Sequence, residues 1–67
     1  MNFNEYLKNK EITLMQAAKD LGLPYEYIRR YAKGLIIPNK ENMQKIVTYT
    51  SGEVQPNDFY GVANESN

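Results

Sequence analysis

The sequence predicts an all-α domain, a compact arrangement of four to five short helices. Three observations carry that prediction. Apolar residues recur at helical spacing in successive segments, capping side chains stand at the expected helix starts, and Gly22 and Gly34 sit where a left-handed residue stops a helix. A chain of 67 residues holds one such domain, burying only about 60% of the surface its unfolded form exposes, so the core has to be economical.

The first segment places Phe3, Tyr6 and Leu7 on one side of a helix that ends near Lys10, with Asn2 or Asn4 able to cap it. Thr13 and Gln16 have capping-box spacing, in which each side chain satisfies an otherwise orphan amide, so a second helix begins near Leu14. Leu14, Ala17, Ala18 and Leu21 share one face of it, and Gly22 ends it after about two turns. Leu23 anchors the turn. Pro24, with a fixed φ and no N–H, suits the opening of a third helix, which runs to about Lys33 with Ile28, Tyr31 and Ala32 inward and Arg29, Arg30 and Lys33 outward. Ala18 stands where the second helix passes close to the third, a place for a small side chain.

Asn39, after Pro38, caps a fourth helix whose apolar stripe of Met43, Ile46, Val47 and Thr50 closes the core before Ser51 and Gly52. Pro56 opens a last short turn through Asp58, Phe59 and Tyr60, with Val54 and Phe59 as its apolar anchors, and the final VANESN is expected to fray. These limits give one domain over 1–61 and a flexible tail over 62–67.

Composition narrows the function. Cysteine, tryptophan and histidine are all absent, which removes disulfides, thiolate chemistry, ordinary zinc sites and the side chain best suited to proton transfer near neutrality. The acids are scattered, without a glycine-rich loop or metal-ligand spacing beside them, so neither an enzyme nor a metal or cofactor site is expected. No apolar run approaches the ~20 residues that span a bilayer, and MNFNEYLKNK lacks the basic start and apolar stretch of a secretory signal. The expectation is a cytoplasmic protein with no membrane partner and no small-molecule substrate.

The formal net charge is zero, which argues at first sight against nucleic acid, because neutralisation of phosphates by Lys and Arg dominates such binding. The distribution argues the other way. Residues 1–26 carry three basic and four acidic side chains, residues 27–52 carry five basic (Arg29, Arg30, Lys33, Lys40, Lys45) and one acidic (Glu41), and the rest of the chain is purely acidic. The segments therefore hold about −1, +4 and −3, and within a screening length of ~8 Å it is the local field that a ligand meets.

Two short helices joined by a tight, glycine-containing turn are also the geometry that presents one helix to the DNA major groove. On these residues, LMQAAKDLGLPYEYIRRYAKG resembles the helix-turn-helix of the lambda Cro and repressor-like family, which includes small phage and prophage Cro proteins. The run LIIPNKENMQKIVTYTSGEVQPNDFY is similar to that family's following helix, small turn and terminal helix, so the likeness covers roughly Phe3 to Tyr60.

The resemblance implies a lambda-repressor-like DNA-binding fold and a set of roles. Base-reading positions would be Pro24, Tyr25, Glu26 and Arg29, flanked by Arg30 and Lys33. Gln16 matches a phosphate-binding position, which the amides of a helix start would assist. Asn39 and Lys40 can act likewise at the fourth helix, and Tyr25 and Tyr27, with no evident core slot, can meet sugar-phosphate. Arg29 can pair bidentately with guanine, while Glu26 can either accept from a cytosine amino group or pair with Arg29 or Arg30. Pro24 departs from the small polar capping residue common in relatives, removing one amide and one hydroxyl contact.

The implied function is a sequence-specific transcriptional regulator of Cro-like type. A homodimer, weakly paired without DNA and joined through Val54, Phe59 and Tyr60, would insert its third helices into double-stranded DNA at a pseudo-palindromic operator. The rival reading is an antitoxin or phage interaction module that turns the same fold on a protein partner.

Overall fold

The computed structural model describes residues 1–65, with side chains through Tyr60. Among these residues five helices follow one another: α1 (Phe3–Asn9), α2 (Leu14–Leu21), α3 (Tyr25–Lys33), α4 (Lys40–Tyr49) and α5 (Pro56–Glu65). The architecture is all-helical, as the spacing of apolar residues predicts. The tail expected from residue 62 falls where only backbone is described: α5 is helical through Glu65, and 66–67 lie outside the described residues. No helix among the described residues is long and apolar enough to cross a membrane.

Three of the starts are held by a side-chain cap. The Asn2 side chain accepts from the Glu5 amide at 2.8 Å, Thr13 Oγ1 accepts from the Gln16 amide at 3.0 Å, and Asn39 Oδ1 accepts from the Asn42 amide at 2.8 Å. Capping bonds of this kind contribute about 1 kcal/mol each. Between the two asparagines that could open α1, Asn2 is the cap. The capping box at α2 is only half formed: the Gln16 side chain does not return to Thr13 but donates to Asp20 Oδ1 at 2.8 Å, one turn further on.

The stops are glycines in the left-handed region, Gly22 at φ +71° and Gly34 at φ +74°. At each, two successive amides fold back on the last turn, Gly22 and Leu23 onto the Ala18 carbonyl, and Gly34 and Leu35 onto those of Tyr31 and Arg30. The turn after α4 is held differently. The fully buried Thr50 hydroxyl donates to the Ile46 carbonyl at 2.9 Å and accepts from the Val54 amide at 3.2 Å, stitching the end of one helix to the approach of the next.

The core gathers one face from every helix. Phe3, Tyr6 and Leu7 of α1 meet Ala17, Ala18 and Leu21 of α2, Ile28 and Tyr31 of α3, Ile46 of α4, and Val54 before α5, with Leu14, Leu23, Ala32, Tyr49 and Phe59 packed round the edge. α3 packs against both α1 and α2, and α2 also against α4. The inner face of α3 is thus covered on two sides, which leaves its opposite face to solvent.

Candidate functional site

Ile28 is fully buried and Tyr31 nearly so, so the helical repeat turns positions 26, 29, 30 and 33 to the other side. Those positions hold Glu26, Arg29, Arg30 and Lys33, spaced as one stripe along α3, with Arg29 half-buried and the other three exposed. Arg29 Nε donates to Glu26 Oε1 at 2.9 Å, an ion pair on the surface of the helix. Arg30 and Lys33 make no ion pair among the described residues, so the stripe keeps a net positive field. Of the two arginines the sequence offers Glu26, Arg29 is the one it pairs with in the free protein.

The helix that carries this stripe is fixed at its start by a connection of three residues, 22–24. Ala18, only 7% exposed, lets α2 and α3 approach, and its carbonyl takes both the Gly22 and Leu23 amides at 2.8 and 3.1 Å. Pro24 occupies the N-cap position at φ −59° and ψ 143°, and its side chain makes no capping bond. The Tyr27 and Ile28 amides fold back on the Pro24 carbonyl, while those of Tyr25 and Glu26 have no partner among the described residues. A helix start with free amides favours an anion nearby.

Tyr25 and Tyr27 are each about half exposed, at 43% and 45%. They leave the helix on opposite sides of the basic stripe. Tyr27 lies against Tyr31, with ring centroids 6.3 Å apart and planes at 51°. On the flanks stand the residues expected to meet phosphate. Gln16, exposed at the start of α2, has committed one amide hydrogen to Asp20 and keeps the other. Asn39 spends its side-chain oxygen on the α4 cap and keeps its amide hydrogens free, and Lys40 beside it is exposed.

Asp20 is the acidic partner in this region. Its Oδ2 accepts from Tyr49 Oη at 2.7 Å, bridging α2 to the end of α4. The Tyr49 and Gln16 donors, in that order, hold the Asp20 carboxyl below its ordinary value, with Lys19 adding a smaller pull. Partial burial first, and then the carboxylate beside it, push the Tyr49 hydroxyl up to about 12.

The three residues expected at a dimer interface separate. Val54 is fully buried in the monomer core, so its side chain cannot serve a partner surface. It is the apolar anchor before α5 that the sequence also offers, and its amide donates to Thr50 Oγ1 at 3.2 Å. Phe59 is half-buried, its ring 6.4 Å from that of Phe3. Tyr60, at 47% exposure, faces outward. Sequence reasoning also missed two features near the site. One is the buried hydrogen bond from Asn42 Nδ2 to Tyr31 Oη, at 2.9 Å, and the other is the exposure of Leu35, Ile36 and Ile37 in the connection that follows α3.

Comparison with known proteins gives one family. A profile described as helix-turn-helix matches residues 4–54, most of the chain and all of α2, α3 and α4. No curated protein and no solved structure matches.

Proposed function

The chain belongs to the helix-turn-helix family, whose domain marks a DNA-binding transcription regulator, and from that premise we propose that it is a Cro-like repressor reading a pseudo-palindromic operator with α3. The observation that carries the reading is the stripe of Glu26, Arg29, Arg30 and Lys33, presented to solvent directly opposite the buried Ile28. A homodimer sets two copies of α3 into successive major grooves about 34 Å apart and blocks transcription by occupancy. No cofactor enters, and the cytoplasm is the compartment that fits.

In this mechanism the ion pair on α3 has a reading role. With Nε held by Glu26, the terminal guanidinium nitrogens of Arg29 are the ones left to face O6 and N7 of guanine, a pairing worth roughly 1–3 kcal/mol of discrimination. Arg30 and Lys33 supply charge along the groove, and Pro24 and Tyr25 bring the start of the helix against base edges. Gln16 and Tyr27, with Asn39 and Lys40, bind phosphates on either side and fix where α3 sits. The subunits meet through Tyr60 and the edge of Phe59, weakly until DNA holds two copies together.

The test is a fluorescence-anisotropy titration against a duplex that the chain enriches from a randomised pool and against its scrambled counterpart, at several salt concentrations. The expected result is a preference of at least ~10³-fold with steep salt dependence. Arg29→Ala should relax preference at one base position, whereas Lys40→Ala should weaken all sequences alike and lower the salt slope by about 1. Equal, sequence-independent losses in both variants would remove the role assignment. Weak binding without selectivity would move the function to a protein partner, a reading that the exposed run Leu35, Ile36 and Ile37 supports.

A further inference from the structure

The link between α3 and α4 runs through one side-chain bond. Asn42 lies in the first turn of α4, among Lys40, Glu41 and Gln44, where a polar residue ordinarily faces water. Here it is 8% exposed, and its partner Tyr31 is 4% exposed. Asn42 Nδ2 donates to Tyr31 Oη at 2.9 Å, and the backbone N–H of the same residue donates to Asn39 Oδ1 at 2.8 Å. Tyr31 in turn carries Tyr27 against its ring. A continuous path therefore runs from Tyr27 through Tyr31 and Asn42 to Asn39. Its two ends are exposed, and both meet phosphate under the function proposed above.

The Asp20–Tyr49 bond ties the far end of α4 to α2, but between the start of α4 and α3 little else sets direction. The connection from α3 to α4 is six residues long, 34–39, and three of its side chains, those of Leu35, Ile36 and Ile37, face solvent. Apolar packing is non-directional and allows small slides between helices, whereas a buried amide-to-hydroxyl bond has a narrow range of distance and angle and costs heavily when broken. Base readout by α3 and phosphate binding at the start of α4 must be satisfied at once, so the offset between the two helices is part of the recognition geometry.

We propose that the Tyr31–Asn42 hydrogen bond sets that offset, making Tyr31 and Asn42 positioning residues that determine DNA specificity without touching DNA. The proposal rests on the DNA-reading function. Its test keeps the two apart.

Tyr31→Phe alone strands a buried amide and lowers stability, so the decisive variant is the double Tyr31→Phe/Asn42→Leu, which removes both polar groups and restores an apolar pair of similar shape. Thermal unfolding of the wild type, the single and the double variant is measured first. Anisotropy titrations across salt follow, against a duplex of roughly 20 bp enriched by the wild type and against its scramble. The double variant should unfold near the wild-type midpoint yet show a preference for the enriched duplex about tenfold lower, with a salt slope shallower by about 1 for each phosphate no longer neutralised.

A double variant with wild-type stability, preference and slope overturns the proposal and reduces the bond to packing. Should the double variant not fold, Tyr31→Phe is titrated at a temperature where circular dichroism shows it folded. The same tenfold loss is expected, and undiminished preference overturns the proposal. A wild type that binds both duplexes equally, with little dependence on salt, removes the DNA reading and this inference together. A selective wild type with an equally selective double variant removes the inference alone.

Discussion

The connections on either side of α3 leave their helices by the same route and then diverge. Gly22 and Gly34 adopt nearly the same left-handed backbone, and in each case the glycine and the residue after it donate back into the helix just ended. After Gly22 the chain needs only the half-buried Leu23 and the exposed Pro24 before it is helical again. After Gly34 it runs through Leu35, Ile36 and Ile37, exposed by 63%, 37% and 45%, to a buried Pro38 and the Asn39 cap. A stop signal therefore settles where a helix ends and says nothing of where the next one goes. The short connection fixes α3 against α2 through its backbone bonds and the close approach at Ala18, whereas the long one leaves the α3–α4 relation to side chains.

The largest effect expected from breaking this contrast is at the short connection. Ala18→Leu forces extra volume between α2 and α3 and should cost about 1–3 kcal/mol, visible in a chemical denaturation midpoint, with operator preference falling as α3 is displaced. Gly22→Ala and Gly34→Ala come next. A Cβ at either glycine meets nothing within 4 Å, so the penalty is conformational alone, about 1 kcal/mol and equal at the two sites. Unequal midpoints would show that the two stops are not equivalent after all.

A smaller effect belongs to the bridge from α2 to α4. The Asp20 carboxyl lies below its ordinary 3.8 in the folded chain, so it favours the folded state above that value and loses this contribution as pH falls through the folded one. Tyr49, raised from 10.0 to about 12, favours the folded state below 10.0 and loses its contribution as pH rises toward 12. Tyr49→Phe should therefore be less stable than the wild type at neutral pH, and the gap should narrow at both ends of a denaturation series across pH. A constant gap would mean that the bridge contributes packing only. Least of all, Leu35→Ser and Ile36→Ser should stay within about 0.5 kcal/mol of wild type, because these side chains already face solvent.

The boundaries of α1 to α4 were legible because caps and glycine stops are local chemistry: Asn2, Thr13 and Asn39 act on amides three residues away, and Gly22 and Gly34 on the turn just completed. The outward stripe on α3 was legible for a similar reason, since Ile28 and Tyr31 define its inner side. What escaped was settled between elements. Asn42 has the look of a surface residue until Tyr31 arrives from another helix, and Gln16 forgoes its expected partner because Asp20 is held in place by Tyr49.

Among α1 to α4, only α3 begins without a side-chain cap, and the consequence is one of time rather than place. Amide protons of Tyr25 and Glu26, with no acceptor among the described residues, exchange with solvent as fast as the local backbone allows, while those deeper in α3 wait for the helix to open. The end of α3 assigned to base edges therefore carries an intrinsic clock. Hydrogen–deuterium exchange at these two amides should run fast in the free protein and slow when DNA shields them, so occupancy of the site registers in the backbone itself.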